Sequence, residues 1–422
     1  MKDNEIYLDF FDEAATILEN DDFIEEELDE KSSDIAIVGM AVKTGLCQNS
    51  QELWEAFCAG EELVRDFPTW REEDVKPFCD WVGRGDEKFG RECYLEHIDM
   101  FSPEFFKILP KDASLIDPAQ RMFLMTSWNA LEDACISAKS LNGTDTGVFV
   151  GYTTPTANYS EILAQSNPEY ADRAIPGTVN SIIASRLSYW LNLKGPAVMV
   201  DTACSSSLAA VHMACNAIRQ GDCKQAIAGS VKINLMPLVG KDGNSVSVLS
   251  TDGSTRTFDA EANGTNPGEG VAALVLKPLK EAEKDKDRIY AVIKGSALNQ
   301  DGTSVGITAP NADAQEAVIT KAWENAKINP EQVSYIETHG TATKLGDPVE
   351  ITAIDRAFHR YTDKKQFCAV GSVKANLGHL DCASGIFGLI KCVLELRNKI
   401  LLPQINYASP NKEIDFISSA VY

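Results

Sequence analysis

The feature that most constrains this chain is a repeated punctuation: a short apolar strand, a loop of small polar residues, then a helix. AVMVD (197–201) runs straight into Thr202, Ala203, Cys204 and three serines, and from there into a helical stretch ending near Gln220. VSYIET (333–338) delivers His339, Gly340, Thr341, Ala342 and Thr343 before the next helix. FCAVGSVK (367–374) delivers a loop carrying Lys374 and His379, followed by a helix over about 383–398. Four more stretches read as strands: DIAIVGMAV from Asp34, TGVFVG (146–151), AALVLKPL (272–279) and YAVIKGSAL (290–298). Residues 52–59, 118–137 and 313–327 read as helices, the second opened by Asp117 as N-cap and Pro118 at the first helical position. Strands alternating with helices predict an α/β fold with mainly parallel, buried sheets.

A chain of 422 residues with 44% hydrophobic content can bury a large core. Its net charge of −23 disfavours nucleic acid and anionic membrane as partners. No apolar run approaches the ~18 residues of a membrane span, and the acidic N-terminus is unlike a secretory or transit signal, so a cytoplasmic location is expected. Residues 1–34 hold 14 acidic and 2 basic residues, half the net charge in a short leader. Its apolar residues Leu8, Phe11, Ala15, Leu18 and Phe23 are loosely helical in spacing. The segment reads either as a flexible acidic tail or as a docking helix for an upstream polypeptide. The 11 cysteines form no C-x-x-C pair, which argues against a disulfide framework and against a metal site.

Cys204 stands at the start of a helix, where the dipole favours a thiolate suited to thioester exchange. Taken alone, a buried structural cysteine is nearly as good a reading, and His339 alone is equally a hydrogen-bonded loop residue. The combination says more. One cysteine, two histidines and Lys374 stand on three strand-end loops, and such loops on one side of a sheet converge on one site. Of the other histidines, His212 is expected in the core and His97 and His359 at the surface. Asp347, Pro348 and Glu350 read as a capping signature for the helix after the His339 loop. A Cys–His pair also fits a protease, but a second histidine and a lysine suit a reaction that makes an anion from a carboxylate.

At these residues the chain resembles the β-ketoacyl synthase family of the thiolase-like superfamily, and most of all the ketosynthase domains of modular polyketide synthases. DIAIVGMA, DPAQRMFL, DTACSSSL, GSTRTFDAEANG, GEG, NQDGTSVGITAPN, HGTATKLGDPVE and GSVKANLGH occur in family order between about residues 35 and 418. The resemblance implies an α/β/α/β/α sandwich of two related halves, 35–289 and 290–422, and a homodimer. It implies decarboxylative Claisen condensation, with Cys204 as the acyl acceptor. His339 and His379 would stabilise the malonyl enolate, and Lys374 would balance charge. Thr341 and Thr343 would contact the phosphopantetheine arm of an acyl carrier protein, and the Cys204 backbone N–H would be half of an oxyanion hole. No cofactor is implied in the domain itself, because its substrates arrive on the carrier. ANGTNPGEG and HGTATKLGDP lean toward synthases served by a separate acyltransferase. A fatty-acid elongating synthase and a non-condensing transacylase are the alternatives. Two departures stand out. Ala342 replaces a usual glycine, so its methyl is expected to narrow the pantetheine channel. The family's Gly-Phe-Gly-rich loop and closing strands have no match up to Tyr422, so a truncated second half with a one-donor oxyanion hole is expected.

Overall fold

The structure is a computed structural model that describes residues 34–155, 159–239, 248–304, 306 and 309–422. The acidic leader, apart from its last residue, lies outside them. Eight strands and four helices suffice to place the site. The strands are β1 (Ile35–Thr44), β2 (Thr146–Gly151), β3 (Ala197–Val200), β4 (Gln225–Lys232), β5 (Gly270–Pro278), β6 (Ala291–Ile293), β7 (Tyr335–Glu337) and β8 (Ala369–Gly371). The helices are α1 (Pro118–Asp133), α2 (Ser206–Gln220), α3 (Gly346–His359) and α4 (Ser384–Asn398).

The first six strands form one sheet in the order β3-β2-β4-β5-β1-β6. Side chains alternate across it. Ile35, Ile37, Phe149, Ala228, Leu274 and Leu276 face one core with α2 and α4. Ala36, Val38, Val148, Val150, Ile227 and Val275 face the other, with α1 and the helix Ile182–Leu191. Because both faces are covered, the strands read as continuous apolar runs. β7 and β8 pair in parallel as a second, smaller sheet, Ile336 opposite Val370. Its outer side packs on Trp323, Ile351, Ile354 and Phe358 from the helices Ala312–Ala326 and α3. Helix, sheet, helix, sheet and helix therefore stack as five layers, with α2 and α4 in the middle, the thiolase-like arrangement.

The large sheet is mixed rather than mainly parallel. β2 is parallel to β3 and β4, whereas β1 runs antiparallel to both β5 and β6, and β4 antiparallel to β5. Strand direction depends on how the connections cross the layers, which apolar periodicity does not report. The strand expected over 290–298 is regular for only three residues. β4 and the helix Ile182–Leu191 were not anticipated from the sequence. α1 does open as read: the Asp117 carboxylate accepts the Ala119 N–H at 2.7 Å. It ends at Asp133, however, and Cys135 takes a left-handed φ of 56°. No helix among the described residues is long and apolar enough to cross a membrane.

Candidate active site

Cys204 lies in the turn between β3 and α2, held by three local devices. Ala203 adopts φ 52°, which bends the chain sharply. The Ser206 hydroxyl accepts the Thr202 N–H at 2.9 Å and donates to the Ala203 carbonyl at 2.6 Å. The Asp201 carboxylate accepts the Ala203 N–H at 3.1 Å and the Thr153 hydroxyl at 2.8 Å. The sulfur is thereby left half-buried at the N-terminal end of α2.

His339 follows β7 on a loop clamped by α3. The two oxygens of Glu350 accept the N–H groups of His339 and Gly340, at 2.5 and 2.8 Å. Glu350 is thus a clamp on the histidine loop, not a cap of its own helix. Asp347 likewise turns outward and accepts the Phe258 N–H at 2.8 Å, tying α3 to another loop. The sequence reading of these two residues as caps of α3 is therefore corrected: the helix has Leu345 at its N-cap position, with no side-chain cap there, and both carboxylates are spent on loops outside it.

His379 stands perpendicular to His339, ring centroids 5.4 Å apart. The Asp381 N–H lies 2.9 Å from its Nδ1, and the Ser384 hydroxyl 2.7 Å. A backbone N–H can only donate, so Nδ1 accepts and the ring proton belongs on Nε2. Its environment pushes the His379 pKa down to about 3, through burial first and then Lys374 and Lys232. His339 is held well below its ordinary value by crowding, Lys374 and His379. Its ring also meets solvent, which weakens the shift without reversing its sign. Both rings are therefore neutral at pH 7.

Lys374 opens a short helical turn after β8 and is only 3% exposed. Burial lowers its pKa, while Glu337 and Glu350 oppose that fall. It favours the Cys204 thiolate electrostatically. The thiol nevertheless lies above its ordinary pKa, because of burial and then the carboxylate of Asp381. This corrects the simple expectation of a dipole-acidified thiol.

Thr341 and Thr343 flank Ala342 on the His339 loop, their hydroxyls 3.3 Å apart and both half-buried. Ala342 has φ 56° and no solvent exposure. Its methyl is therefore enclosed by protein. A left-handed φ at this position suits glycine. His212 is not a core residue: half-buried, it pairs with Ser296 and Asn216, at 2.8 Å each. His97 and His359 are exposed, as read. Among the described residues no group of His, Cys, Asp and Glu is arranged to hold a metal.

The sequence reading missed Asp381, whose carboxylate faces the Cys204 sulfur at 3.8 Å, and Lys232, which pairs with it at 2.9 Å. A lysine ending the run of mostly small residues QAIAGSVK was the available signal.

Comparison with known proteins defines the class. The β-ketoacyl synthase N-terminal domain model matches residues 32–282, and the C-terminal domain model matches residues 290–408. The chain belongs to the β-ketoacyl synthase family. More particularly, it is a ketosynthase domain of the modular polyketide synthase kind. It is 42% identical to polyketide synthase PksM of Bacillus subtilis over 395 residues, covering 89% of this chain and 9% of PksM. It is 38% identical to polyketide synthase GfsB of Streptomyces halstedii over 393 residues, 92% of this chain and 7% of GfsB. Among solved structures, the ketosynthase from module 6 of the Bacillus subtilis bacillaene synthase matches with TM-score 0.80 and 41% identity, over 92% of this chain and 65% of that one. The oxazolomycin ketosynthase domain OzmH KS7 of Streptomyces albus matches with TM-score 0.83 and 35% identity, over 92% and 69%. The chain thus spans under a tenth of those curated synthases, whose activities as whole proteins are their own.

Proposed function

We propose that this chain catalyses decarboxylative condensation of a Cys204-bound acyl group with a malonyl unit carried on an acyl carrier protein, in polyketide assembly. Cys204 attacks a carrier thioester and keeps the acyl group. A malonyl carrier then enters, its carboxylate leaves as carbon dioxide, and the enolate attacks the acyl carbonyl, expelling the Cys204 sulfur. The observation that carries this reading is the crossed pair His339 and His379, ring centroids 5.4 Å apart, with Asp381 of the His379 loop 3.8 Å from that sulfur. A neutral imidazole with its proton on Nε2 can donate to a thioester oxygen as negative charge develops there. Lys374 adds positive charge behind both rings. Thr341 and Thr343, on the histidine loop, are the residues we assign to the phosphopantetheine arm, and the Cys204 backbone N–H to the acyl oxyanion.

The partners that follow are an acyl carrier protein, a separate acyltransferase that loads it, an upstream synthase protein meeting residues 1–34, and a second copy of this chain. For the second copy, β3 offers an edge, since no strand pairs with its outer side among the described residues; sedimentation reads the copy number. The site itself is tested by incubating the protein with an acyl-loaded carrier and mapping the adduct by peptide mass spectrometry. The acyl mass is expected on Cys204 and absent from Cys204→Ala. An adduct on Cys215, Cys223 or another cysteine contradicts the assignment.

A further inference from the structure

Lys232 and Asp381 form an ion pair that the chemistry above does not use, and it points at the nucleophile. Asp381 Oδ2 accepts from the Lys232 ammonium at 2.9 Å, and Oδ1 accepts from the Cys204 thiol at 3.8 Å. Lys232 is the last residue of β4, its side chain 14% exposed, and that of Asp381 is 33% exposed. Asp381 is held in place on each side. Its own backbone is left-handed, φ 47°, and its N–H is committed to His379 Nδ1. The next residue, Cys382, is fully buried, its thiol against the Val231 carbonyl of β4 at 3.4 Å. One residue thus touches the nucleophile with its side chain and a catalytic histidine with its backbone.

We propose that Asp381 is a positioning residue for the nucleophile. Its carboxylate, pinned by Lys232, receives the Cys204 S–H and keeps the resting sulfur a thiol of fixed orientation until a carrier-bound acyl group is in place. The proposal rests on the reading of Cys204 as the acyl acceptor. During acylation the Cys204 S–H bond and the carrier C–S bond break, and a Cys204 S–C bond and a carrier S–H bond form. The thiol proton ends on the departing carrier sulfur, so no other reactant is required. A carboxylate against a sulfur disfavours the thiolate, and a lysine beside that carboxylate softens the effect. The other charged or titratable groups around Cys204 are Lys374 from the turn after β8, the neutral rings of His339 and His379, and Asp201 on its own segment. Asp201 is already engaged by Thr153 and the Ala203 N–H.

The pair predicts shifts of opposite sign. The pH profile of Cys204 alkylation by iodoacetamide is read on the full chain, by quantifying its peptide. Asp381→Asn keeps the backbone N–H to His379, and asparagine tolerates a left-handed φ. It should lower the midpoint by about one pH unit, making alkylation near pH 7 roughly tenfold faster. Lys232→Met leaves the carboxylate unneutralised and should raise the midpoint. A midpoint at or above wild type in Asp381→Asn, or at or below it in Lys232→Met, overturns the proposal. Alkylation needs no carrier and no condensation. A failure of the ketosynthase reading would therefore appear as unacylated Cys204 with these shifts intact.

Discussion

Three non-glycine residues on the loops of the candidate site sit in left-handed backbone: Ala203, Ala342 and Asp381, with φ of 52°, 56° and 47°. Each such conformation costs of order 1–2 kcal/mol, which the surrounding fold must offset. Each aims a chemical group: the Cys204 sulfur, the threonine pair, and the contacts on His379. Ala203 and Asp381 gave no sign of this beforehand, and Ala342 only through the glycine it replaces, whereas Cys204, His339, Lys374 and His379 were legible as reactive types on strand-end loops. At this scale the neutral histidines make a prediction about pH. The folded-state pKa of His379, about 3, lies below the 6.5 of an unperturbed histidine. Between those values the unfolded chain binds more protons, so this group's contribution to stability is present above pH 6.5 and lost as pH falls toward 3. Glu92 and Asp347, each pushed up to about 7 chiefly by burial, act in the opposite sense, favouring the fold at low pH. Urea unfolding of wild type and His379→Gln isolates the histidine. Allowing for solvent contact, the wild type should lose about 1–2 kcal/mol more than the variant between pH 7 and 4.5. Parallel curves would show that the ring is not held neutral.

The elements that carry the site are fastened beneath it. Glu337, ending β7, accepts the Val373 N–H just past β8 at 2.5 Å, the Tyr335 hydroxyl at 2.6 Å and the Lys391 ammonium of α4 at 2.9 Å. Lys391 also donates to the Tyr335 hydroxyl at 2.7 Å and is only 3% exposed. One largely buried carboxylate therefore joins both strands of the small sheet to α4, next to the loops bearing His339 and Lys374. Removing one partner of a buried pair leaves the other uncompensated, at a cost of about 3–5 kcal/mol. Lys391→Met should lower unfolding free energy by about 3 kcal/mol, measured by denaturant titration. A change under about 0.5 kcal/mol would mean the triad holds nothing. How far elements could be read depended on side-chain type. TGVFVG and AVMVD announce strands through β-branched and aromatic residues. QAIAGSVK does not, being rich in alanine and glycine, so β4 and its Lys232 were missed together. Glu350 and Asp347 were noticed but misassigned, because sequence spacing shows helix position and not the loops packed against it.

At the scale of the whole molecule, the five layers put α2, with Cys204 at its N-terminal end, between the sheets, so that loops from both sheets meet near its sulfur. The ordered motifs from DIAIVGMA to GSVKANLGH carried that arrangement by resemblance, while apolar patterning alone stopped at an α/β fold and misjudged the sheet's direction. The central claim is a division of labour: Cys204 holds the acyl group, and the histidines make the enolate. It is tested most directly by His339→Ala in the full protein. That variant is given an acyl-loaded carrier and then a malonyl-loaded carrier labelled in its free carboxylate, with mass spectrometry following Cys204 and trapped carbon dioxide following decarboxylation. The account predicts acylation of Cys204 at close to the wild-type rate, with carbon dioxide release down at least ~100-fold. Wild-type carbon dioxide release and product formation by His339→Ala would contradict it.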